Sequence, residues 1–364
     1  MPVYWLLAAA LGDEPKQPPT RGIHLETTTA VNFTEMLAAL SHAFPGTSLP
    51  GKTRGTGSAA ATNQPSPLHL FHAANSICSQ KVRTVLCALQ QPYISHQMNI
   101  FAGDTYHPHY VRLRAHACQS LGYRLADQHT GSTSVLNTGC DACVVPTLLD
   151  ASSERVLIDS RRICMALIER APIYAERLLP SDHTEAISLE LDVIDDFPNY
   201  PILAHKIDRD SGAGDSSYNV FSMKKVERCE TLMQEYADEP LLSAAYRAKR
   251  DKEKSAAYEL FDDASMGQTM EKIAAILTGL NARLSSSRHQ FLFADSPTLA
   301  DYFWGLELMR LDDLNMSALW QNDDDEGLQR YYRRLGELPA LDQAVTQWPG
   351  ARLSSQRQTE QAQP

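Results

Sequence analysis

The sequence has little positive charge and lacks any long apolar run. Lysine and arginine together number 33 against 44 aspartates and glutamates, so the formal net charge is −11. Nucleic-acid binding needs a basic face, and this charge balance argues against such a partner. No stretch approaches the ~18 apolar residues of a membrane-spanning helix. The apolar start at residues 4–11 has no basic residue before it, so we expect neither a signal peptide nor a membrane partner.

Cysteine is also scarce and irregularly spaced. The chain has seven cysteines in 364 residues, an odd number without the spacing of a disulfide framework. This usage favours a reducing, cytoplasmic setting. Cys140 and Cys143 have CxxC spacing, which is typical of a redox pair or of half a zinc site. Since no second CxxC or histidine pair accompanies them, we expect no metal.

Composition divides the chain into an extension, two domains and a tail. Residues 1–66 are interpreted as an N-terminal extension, with one amphipathic helix between Phe33 and Phe44 and a flexible linker from Gly46 to Pro67. Residues 67–171 mix strand and helix periodicities, and they include an insertion at about 115–143. Residues 172–350 have helical periodicity throughout, and residues 351–364 are expected to be a disordered tail.

The mixed domain has the element order β-α-β followed by β-β-α. The expected strands are Leu68–Phe71, Tyr93–Ile100, Val144–Asp150 and Arg155–Ile158, with helices beginning near Gln80 and at Asp159–Ser160. Proline inside a strand removes a ladder donor and is normally confined to edges or bulges. We therefore predict a cis peptide bond before Pro146, with a simple edge-strand proline as the alternative.

The segment Ser76-Ile77-Cys78-Ser79 stands where the first strand ends and the first helix begins. Unpaired backbone N–H groups and the positive end of the helix dipole favour an anion there, so a depressed thiol pKa is expected for Cys78. Two simpler readings stay open. Cys78 is a small buried apolar residue in one of them, and Ser76 is only a helix cap in the other.

Several short motifs in one order resemble the glutathione transferase family. They are Ser76-x-Cys78-Ser79-x-Lys81-Val82-Arg83, Val145-Pro146-Thr147-Leu148, Asp159-Ser160 and the capping box Thr298-Leu299-Ala300-Asp301. That family has an α+β, thioredoxin-like N-terminal domain with a cis-proline, followed by an all-α domain. The Ser-x-Cys-Ser signature is similar to the zeta-class isomerases. It is more similar still to the glutathione-dependent reductive dehalogenases of chlorinated hydroquinones, which also match at 110–113, 205–206 and around Trp304.

The resemblance implies a glutathione site built from five residues. Val145, which precedes Pro146, would pair its backbone with the cysteinyl part of glutathione. Asp159 and Ser160 would hold the γ-glutamyl end, where most relatives carry Glu-Ser. Lys81 stands where the isomerases have arginine, which implies a contact with the glycine carboxylate.

The same resemblance implies roles in chemistry and substrate binding. Ser76 would hydrogen-bond the glutathione sulfur, and Cys78 would supply the second thiol of a reductive cycle. His205 would lie near the aromatic substrate and Arg112 would neutralise a hydroquinone oxygen or a glutathione carboxylate. For His205 a structural role, and for Arg112 a solvent-facing one, remain open alternatives.

The implied activity is reductive dechlorination of a chlorinated hydroquinone, with glutathione consumed as co-substrate and a homodimer by family habit. Alternatives are a cis–trans isomerase of the maleylacetoacetate type, a glutathione-dependent ether-cleaving enzyme and a non-catalytic module of the transferase fold. The insertion at 115–143 must emerge close to Pro146. We therefore expect it to form a flap or rim over the substrate pocket.

Overall fold

The structure, a computed structural model, describes residues 32–49, 66–210, 212, 218–320 and 326–352. The apolar start at residues 4–11, most of the expected linker and residues 353–364 of the expected tail lie outside the described residues.

A five-stranded mixed sheet forms the centre of the N-terminal domain, in the order β1-β3-β2-β4-β5. The strands are β1 (Gly46–Leu49), β2 (Leu68–His72), β3 (Tyr93–Gln97), β4 (Thr147–Asp150) and β5 (Arg155–Ile158). β2 pairs in parallel with β3 and antiparallel with β4, and β4 pairs antiparallel with β5. Short apolar runs such as Leu68–Phe71 are almost wholly buried. Strands that are covered on both faces are mostly apolar. The predicted β-α-β and β-β-α units are confirmed.

The first strand corrects the interpretation of the extension. Helix α1 (Phe33–Ala43) lies where the amphipathic pattern predicts it, capped by Asn32. Gly46–Leu49, however, is strand β1 and not linker, since it pairs antiparallel with β3 from Gly46 opposite His96 to Leu49 opposite Tyr93. Linker-like composition does not exclude an edge strand, because the neighbouring strand supplies the hydrogen bonds.

Helices cover both faces of the sheet. Those of the N-terminal domain are α2 (Ile77–Ala88), α3 (Pro108–Ser120), the short α4 (Val135–Thr138) and α5 (Ser160–Glu169). α2 packs on α5 and on the helical domain, whereas α3 packs on α1 and α10. The start of α2 therefore faces the helical domain directly.

The C-terminal part of the described chain is all helical, as predicted. Its elements are α6 (Pro172–Leu178), α7 (Thr184–Asp195), α8 (Asn199–Asp210), α9 (Val220–Glu235), α10 (Pro240–Glu259), α11 (Asp263–Ser286), α12 (Leu299–Asp313), α13 (Glu326–Gly336) and α14 (Pro339–Leu341). The capping box of Thr298 and Asp301 begins α12, whose Phe303 and Trp304 are fully buried in the main core. Among the described residues, no helix combines the length and apolarity needed to cross a bilayer.

Candidate active site

Cys78 is the second residue of α2 and is partly exposed. The hydroxyl oxygen of Ser76 caps the helix by accepting a hydrogen bond from the backbone N–H of Ser79, at 3.3 Å. The helix thus begins inside the predicted segment, three residues before Gln80, and Ser76 is its N-cap. A hydroxyl that caps through its oxygen still has a proton to donate. Ser76 therefore keeps the capacity to hydrogen-bond a sulfur.

The pKa of the Cys78 thiol is raised, not depressed as the helix start predicts. Burial raises this pKa, and the nearby carboxylates of Asp195 and Asp159 raise it further. The ammonium of Lys81 and a hydrogen bond with the Ser160 side chain act in the opposite direction. The sequence pattern located the thiol correctly, but desolvation outweighs the helix-end effect.

The peptide bond between Val145 and Pro146 is cis, as predicted. Pro146 itself directly precedes strand β4 and does not lie inside it, whereas the expected strand Val144–Asp150 includes this proline. Two side chains of α3 hold the surrounding backbone. The Tyr110 hydroxyl donates to the carbonyl oxygen of Val144 at 2.9 Å. The Arg114 guanidinium donates to the carbonyl oxygens of Pro146, at 2.6 Å, and of Asp141, at 2.9 Å. Sequence reasoning missed Arg114, which has no motif to signal it.

Asp159 and Ser160 lie at the start of α5, on the same side of the fold as Cys78. Asp159 is the N-cap, has a φ of 69° and accepts a hydrogen bond from the backbone N–H of Arg162. Burial raises the pKa of the Asp159 carboxyl to about 6, with a further contribution from Asp195. The structure thus brings Ser76, Cys78, Asp159 and Ser160 into one neighbourhood.

Lys81 has a different environment from the one the resemblance implies. Its side chain is fully buried, and its Nζ lies 2.9 Å from Asp195 Oδ1 and 3.7 Å from Glu307 Oε1. These carboxylates come from α7 and α12 of the helical domain. A contact between Lys81 and glutathione stays a prediction without support from this geometry.

Asp195, Glu307 and Asn199 are site residues that sequence reasoning missed. The Asn199 amide donates to Glu307 Oε2 at 2.5 Å, and Glu307 is fully buried. Burial raises the pKa of the Glu307 carboxyl to about 7, although Lys81 and Asn199 oppose the shift. Glu307 could have been noticed in the sequence, because it is a charged residue between apolar neighbours in the mostly apolar helix α12.

The two residues predicted to bind the substrate lie on helices α3 and α8. Arg112 of α3 donates to Glu239 Oε2 at 2.7 Å, just before α10 begins. His205 lies on α8 and is partly buried. Neither is among the groups with the largest effect on the pKa of Cys78. Their substrate contacts stay predictions.

The structure does not pair Cys140 with Cys143. Cys140 forms a disulfide with Cys118 at the end of α3, across a Cα–Cα distance of 5.9 Å. Cys143 is a buried thiol whose pKa burial raises. One disulfide is not a disulfide framework, but it was not expected from a cysteine usage that favours a reducing setting. Across the described ranges, no cluster of histidine, cysteine and carboxylate side chains is arranged to hold a metal ion.

The insertion reaches the same neighbourhood as Cys78 through Asp195. The hydroxyl of Ser132 and the backbone N–H of Thr133 both donate to the Asp195 carbonyl oxygen, at 2.9 and 3.0 Å. Asp141 pairs with Lys249 of α10 at 2.8 Å. The segment therefore fastens the end of α7 and joins it to α10, which is consistent with a rim.

A groove of about 500 Å³ opens elsewhere, between the segment after β3 and helix α9. It is lined by Phe44, Ala102, Gly103, Asp104, Tyr106, His107, Pro108, Arg228, Thr231 and Leu232. None of the predicted site residues lines it.

Comparisons with known proteins agree with the sequence resemblance. No family model matches the chain. Two curated proteins from strains of Sphingobium indicum, each named 2,5-dichlorohydroquinone reductive dechlorinase, are 32% identical over 288 residues. The match covers 77% of this chain and 83% of each relative.

Solved glutathione transferases give weaker structural matches. A glutathione transferase from Populus trichocarpa matches with a TM-score of 0.45 and 15% identity, over 76% of this chain and 97% of that chain. A glutathione S-transferase from Methylobacillus flagellatus, solved with glutathione bound, has a TM-score of 0.43 and 16% identity, over 76% and 98% of the two chains. The family assignment rests on the curated relatives and not on these structures. The chain is an enzyme and belongs to the family of the 2,5-dichlorohydroquinone reductive dechlorinases.

Proposed function

We propose that this enzyme replaces chlorine by hydrogen on a chlorinated hydroquinone, using glutathione as co-substrate. The observation that carries the proposal is the placement of Cys78: partly exposed, at the start of α2, and near the side chains of Ser160 and Lys81. A relative's activity on 2,5-dichlorohydroquinone supports the substrate class. Glutathione would occupy the space between Cys78, the Val145 backbone and the start of α5.

The first step is a displacement at carbon. The glutathione thiolate attacks the chlorinated carbon of the ketonic tautomer of the substrate, so a C–S bond forms, the C–Cl bond breaks and chloride leaves. The Ser76 hydroxyl would donate a hydrogen bond to the glutathione sulfur and favour its thiolate. Asp159 and Ser160 would hold the γ-glutamyl end so that the sulfur stays near the ring.

The second step is an attack at sulfur. The Cys78 thiolate attacks the sulfur of the conjugate, an S–S bond forms, and the C–S electron pair returns to the ring carbon, which takes a proton. The products are the dechlorinated hydroquinone and a mixed disulfide of Cys78 with glutathione. A second glutathione thiolate then releases oxidised glutathione. Two glutathiones are consumed for each chloride, and the two electrons reduce the ring.

We expect Cys78→Ser to separate the two steps. The variant should still release chloride from 2,5-dichlorohydroquinone, but it should accumulate the glutathionyl conjugate and lose at least ~100-fold in formation of free product. Chloride release, oxidised glutathione and products separated by chromatography are the measurements. Cys87→Ser, at the other end of α2, is the matched control and should keep the wild-type ratio of two glutathiones per chloride.

Free product formed at the wild-type rate by Cys78→Ser would overturn the role of Cys78. Isomerisation of a cis double bond without glutathione consumption would instead favour the isomerase alternative.

We also propose that His205 and Arg112 bind the hydroquinone. Substitution of either residue should then raise KM for the hydroquinone.

We further propose a cytoplasmic homodimer. The proposed use of glutathione as co-substrate supports the compartment, because glutathione keeps cytosolic thiols reduced, whereas the Cys118–Cys140 disulfide is unusual there. Light scattering coupled to size-exclusion chromatography tests the dimer, and an elution as a monomer at micromolar concentration would contradict it.

A further inference from the structure

Lys81 lies one helical turn after Cys78, so the two side chains share a face of α2. Its Nζ contacts a carboxylate from each of two other helices, Asp195 of α7 at 2.9 Å and Glu307 of α12 at 3.7 Å. We propose that Lys81 is the fixed counter-charge of the Cys78 thiolate, and that Asp195 and Glu307 are the positioning residues that hold it. The inference concerns the site of the proposed function, but it can be measured without substrate.

The surroundings of Cys78 hold opposed charges. The charged and hydrogen-bonding groups that act on it come from four helices: Lys81 of α2, Asp159 and Ser160 at the start of α5, Asp195 of α7 and Arg310 of α12. Lys81 has the largest effect among the groups that favour the thiolate, and Asp195 has the largest among the charges that oppose it. Burial has the largest effect on the pKa of the thiol, and among the charged groups the balance between Lys81 and Asp195 has the largest.

Lys81 stays charged despite its complete burial. Burial lowers the pKa of its ammonium, but Asp195 and Glu307 raise it by more, so the pKa lies above its ordinary value. Glu307 Oε1 is buried and makes no hydrogen bond, and the Lys81 ammonium lies 3.7 Å from it. An isolated buried charge would be very costly, and the pairing removes most of that cost.

The position of Asp195 is itself fixed. Its backbone oxygen accepts hydrogen bonds from Ser132 and Thr133 of the insertion, and its second carboxylate oxygen lies 3.6 Å from the Arg161 guanidinium. Because these contacts fix Asp195, the Asp195 carboxylate holds the Lys81 ammonium in one position on the Cys78 face of α2. This arrangement also gives the insertion an indirect route to the chemistry.

A merely structural ion pair would dock α2 against the helical domain and leave the thiol unaffected. The two roles differ in the sign of the shifts that substitutions cause. Lys81→Met removes the cation that favours the thiolate and should raise the apparent pKa of Cys78 by about one unit. Asp195→Asn keeps an oxygen that accepts from Lys81 but removes the opposing charge, so it should lower that pKa by up to about one unit.

The measurement is the rate of Cys78 alkylation by iodoacetamide across pH, followed on the Cys78 peptide by mass spectrometry. In the double variant Lys81→Met/Asp195→Asn, the thiol pKa should return toward the wild-type value, because both charges are removed together. Lys272 and Asp196 form an exposed ion pair beside Asp195. Lys272→Met and Asp196→Asn are therefore matched controls and should leave the profile unchanged.

Shifts of the same sign in Lys81→Met and Asp195→Asn, or no shift in either, would overturn the inference. Thermal unfolding of each variant identifies any that fails to fold, and the double variant then decides. Alkylation needs neither glutathione nor hydroquinone, so it tests the inference separately from the proposed function. If the two variants shift the pKa of Cys78 in opposite directions but the wild type shows no dechlorinase activity, only the proposed function is refuted. Dechlorination with an unshifted thiol would refute this inference alone.

Discussion

Glu307 is a carboxyl group that the fold buries completely, and its properties come from that burial. Desolvation raises its pKa to about 7, although Lys81, Asn199 and Arg310 all favour the charged form. The group is therefore partly protonated near neutral pH, when an exposed glutamate is fully charged. At the scale of single residues, this carboxyl links the stability of the protein to pH.

We expect Glu307→Gln to remove part of the pH dependence of folding. A folded-state pKa of about 7 lies above the ordinary value of 4.5, so the carboxyl stabilises the fold below pH 4.5. That contribution is lost as pH rises to about 7. Between pH 5 and pH 8 the unfolding free energy of the wild type should therefore fall by up to ~3 kcal/mol because of Glu307. The glutamine variant should not show this part of the decrease.

Urea unfolding at both pH values gives this difference. Glu337 is exposed, so Glu337→Gln serves as the control and should behave as the wild type does. An unchanged pH difference in Glu307→Gln would show that Glu307 is already ionised at pH 5 in the folded protein.

Helix α10 docks the insertion onto the helical part of the molecule through buried charges. Lys249 lies 2.8 Å from Asp141 of the insertion and 2.7 Å from Glu253, one turn along α10. Lys225 of α9 approaches Glu253 at 3.1 Å. The attraction of Lys249 and Lys225 holds the pKa of Glu253 well below its ordinary value, against the effect of burial. At the scale of elements, α9, α10 and the insertion therefore form one charge-paired unit.

Lys249→Met should destabilise this unit strongly. The change leaves two buried carboxylates with one fewer cation, and breaking a buried pair from one side costs ~3–5 kcal/mol. Arg250→Ala is the matched control on the same helix, because its pair with Asp251 is partly exposed, and its loss should stay below ~1 kcal/mol. Equal losses of unfolding free energy in the two variants would contradict the buried-pair argument.

The N-terminal segment completes the molecule by covering one edge and one face of the sheet. β1 pairs with β3, and the carbonyl oxygen of Phe44 accepts a hydrogen bond from the buried His96 ring at 2.6 Å. Met36 and Leu40 of α1 pack in a cluster with Phe71 of the sheet. At the scale of the whole molecule, residues 32–49 thus belong to the folded core rather than to an appendage.

Leu40→Ala should therefore destabilise the whole protein. Leu40 is fully buried, and removing such a side chain costs ~2–5 kcal/mol. Leu37→Ala, on the more exposed side of α1, should cost clearly less. The midpoints of urea unfolding compare the two variants, and a wild-type midpoint for Leu40→Ala would mean that α1 adds nothing to the fold.

Local patterns in the sequence were sufficient to predict much of the framework. Interactions between residues a few positions apart explain why helix α1 and the capping box of α12 were predicted, and why the start of α2 was placed within a few residues of Ile77. The cis peptide bond before Pro146 was predicted from a proline next to an apolar run, in a motif that resembles a known family, although β4 begins only at Thr147. Composition, in contrast, was misleading for Gly46–Leu49, because an edge strand is decided by the strand it pairs with.

The sequence by itself determined which residue carries the thiol and where that thiol lies along its helix. Only the tertiary structure decided the pKa of that thiol. Asp195 is 114 positions from Lys81, yet the two side chains meet, and the Cys118–Cys140 disulfide likewise joins residues that no local pattern pairs. Burial and ion pairing depend on side chains that distant elements bring together, so the raised pKa of Cys78 and the burial of Lys81 had no signature in the sequence around them.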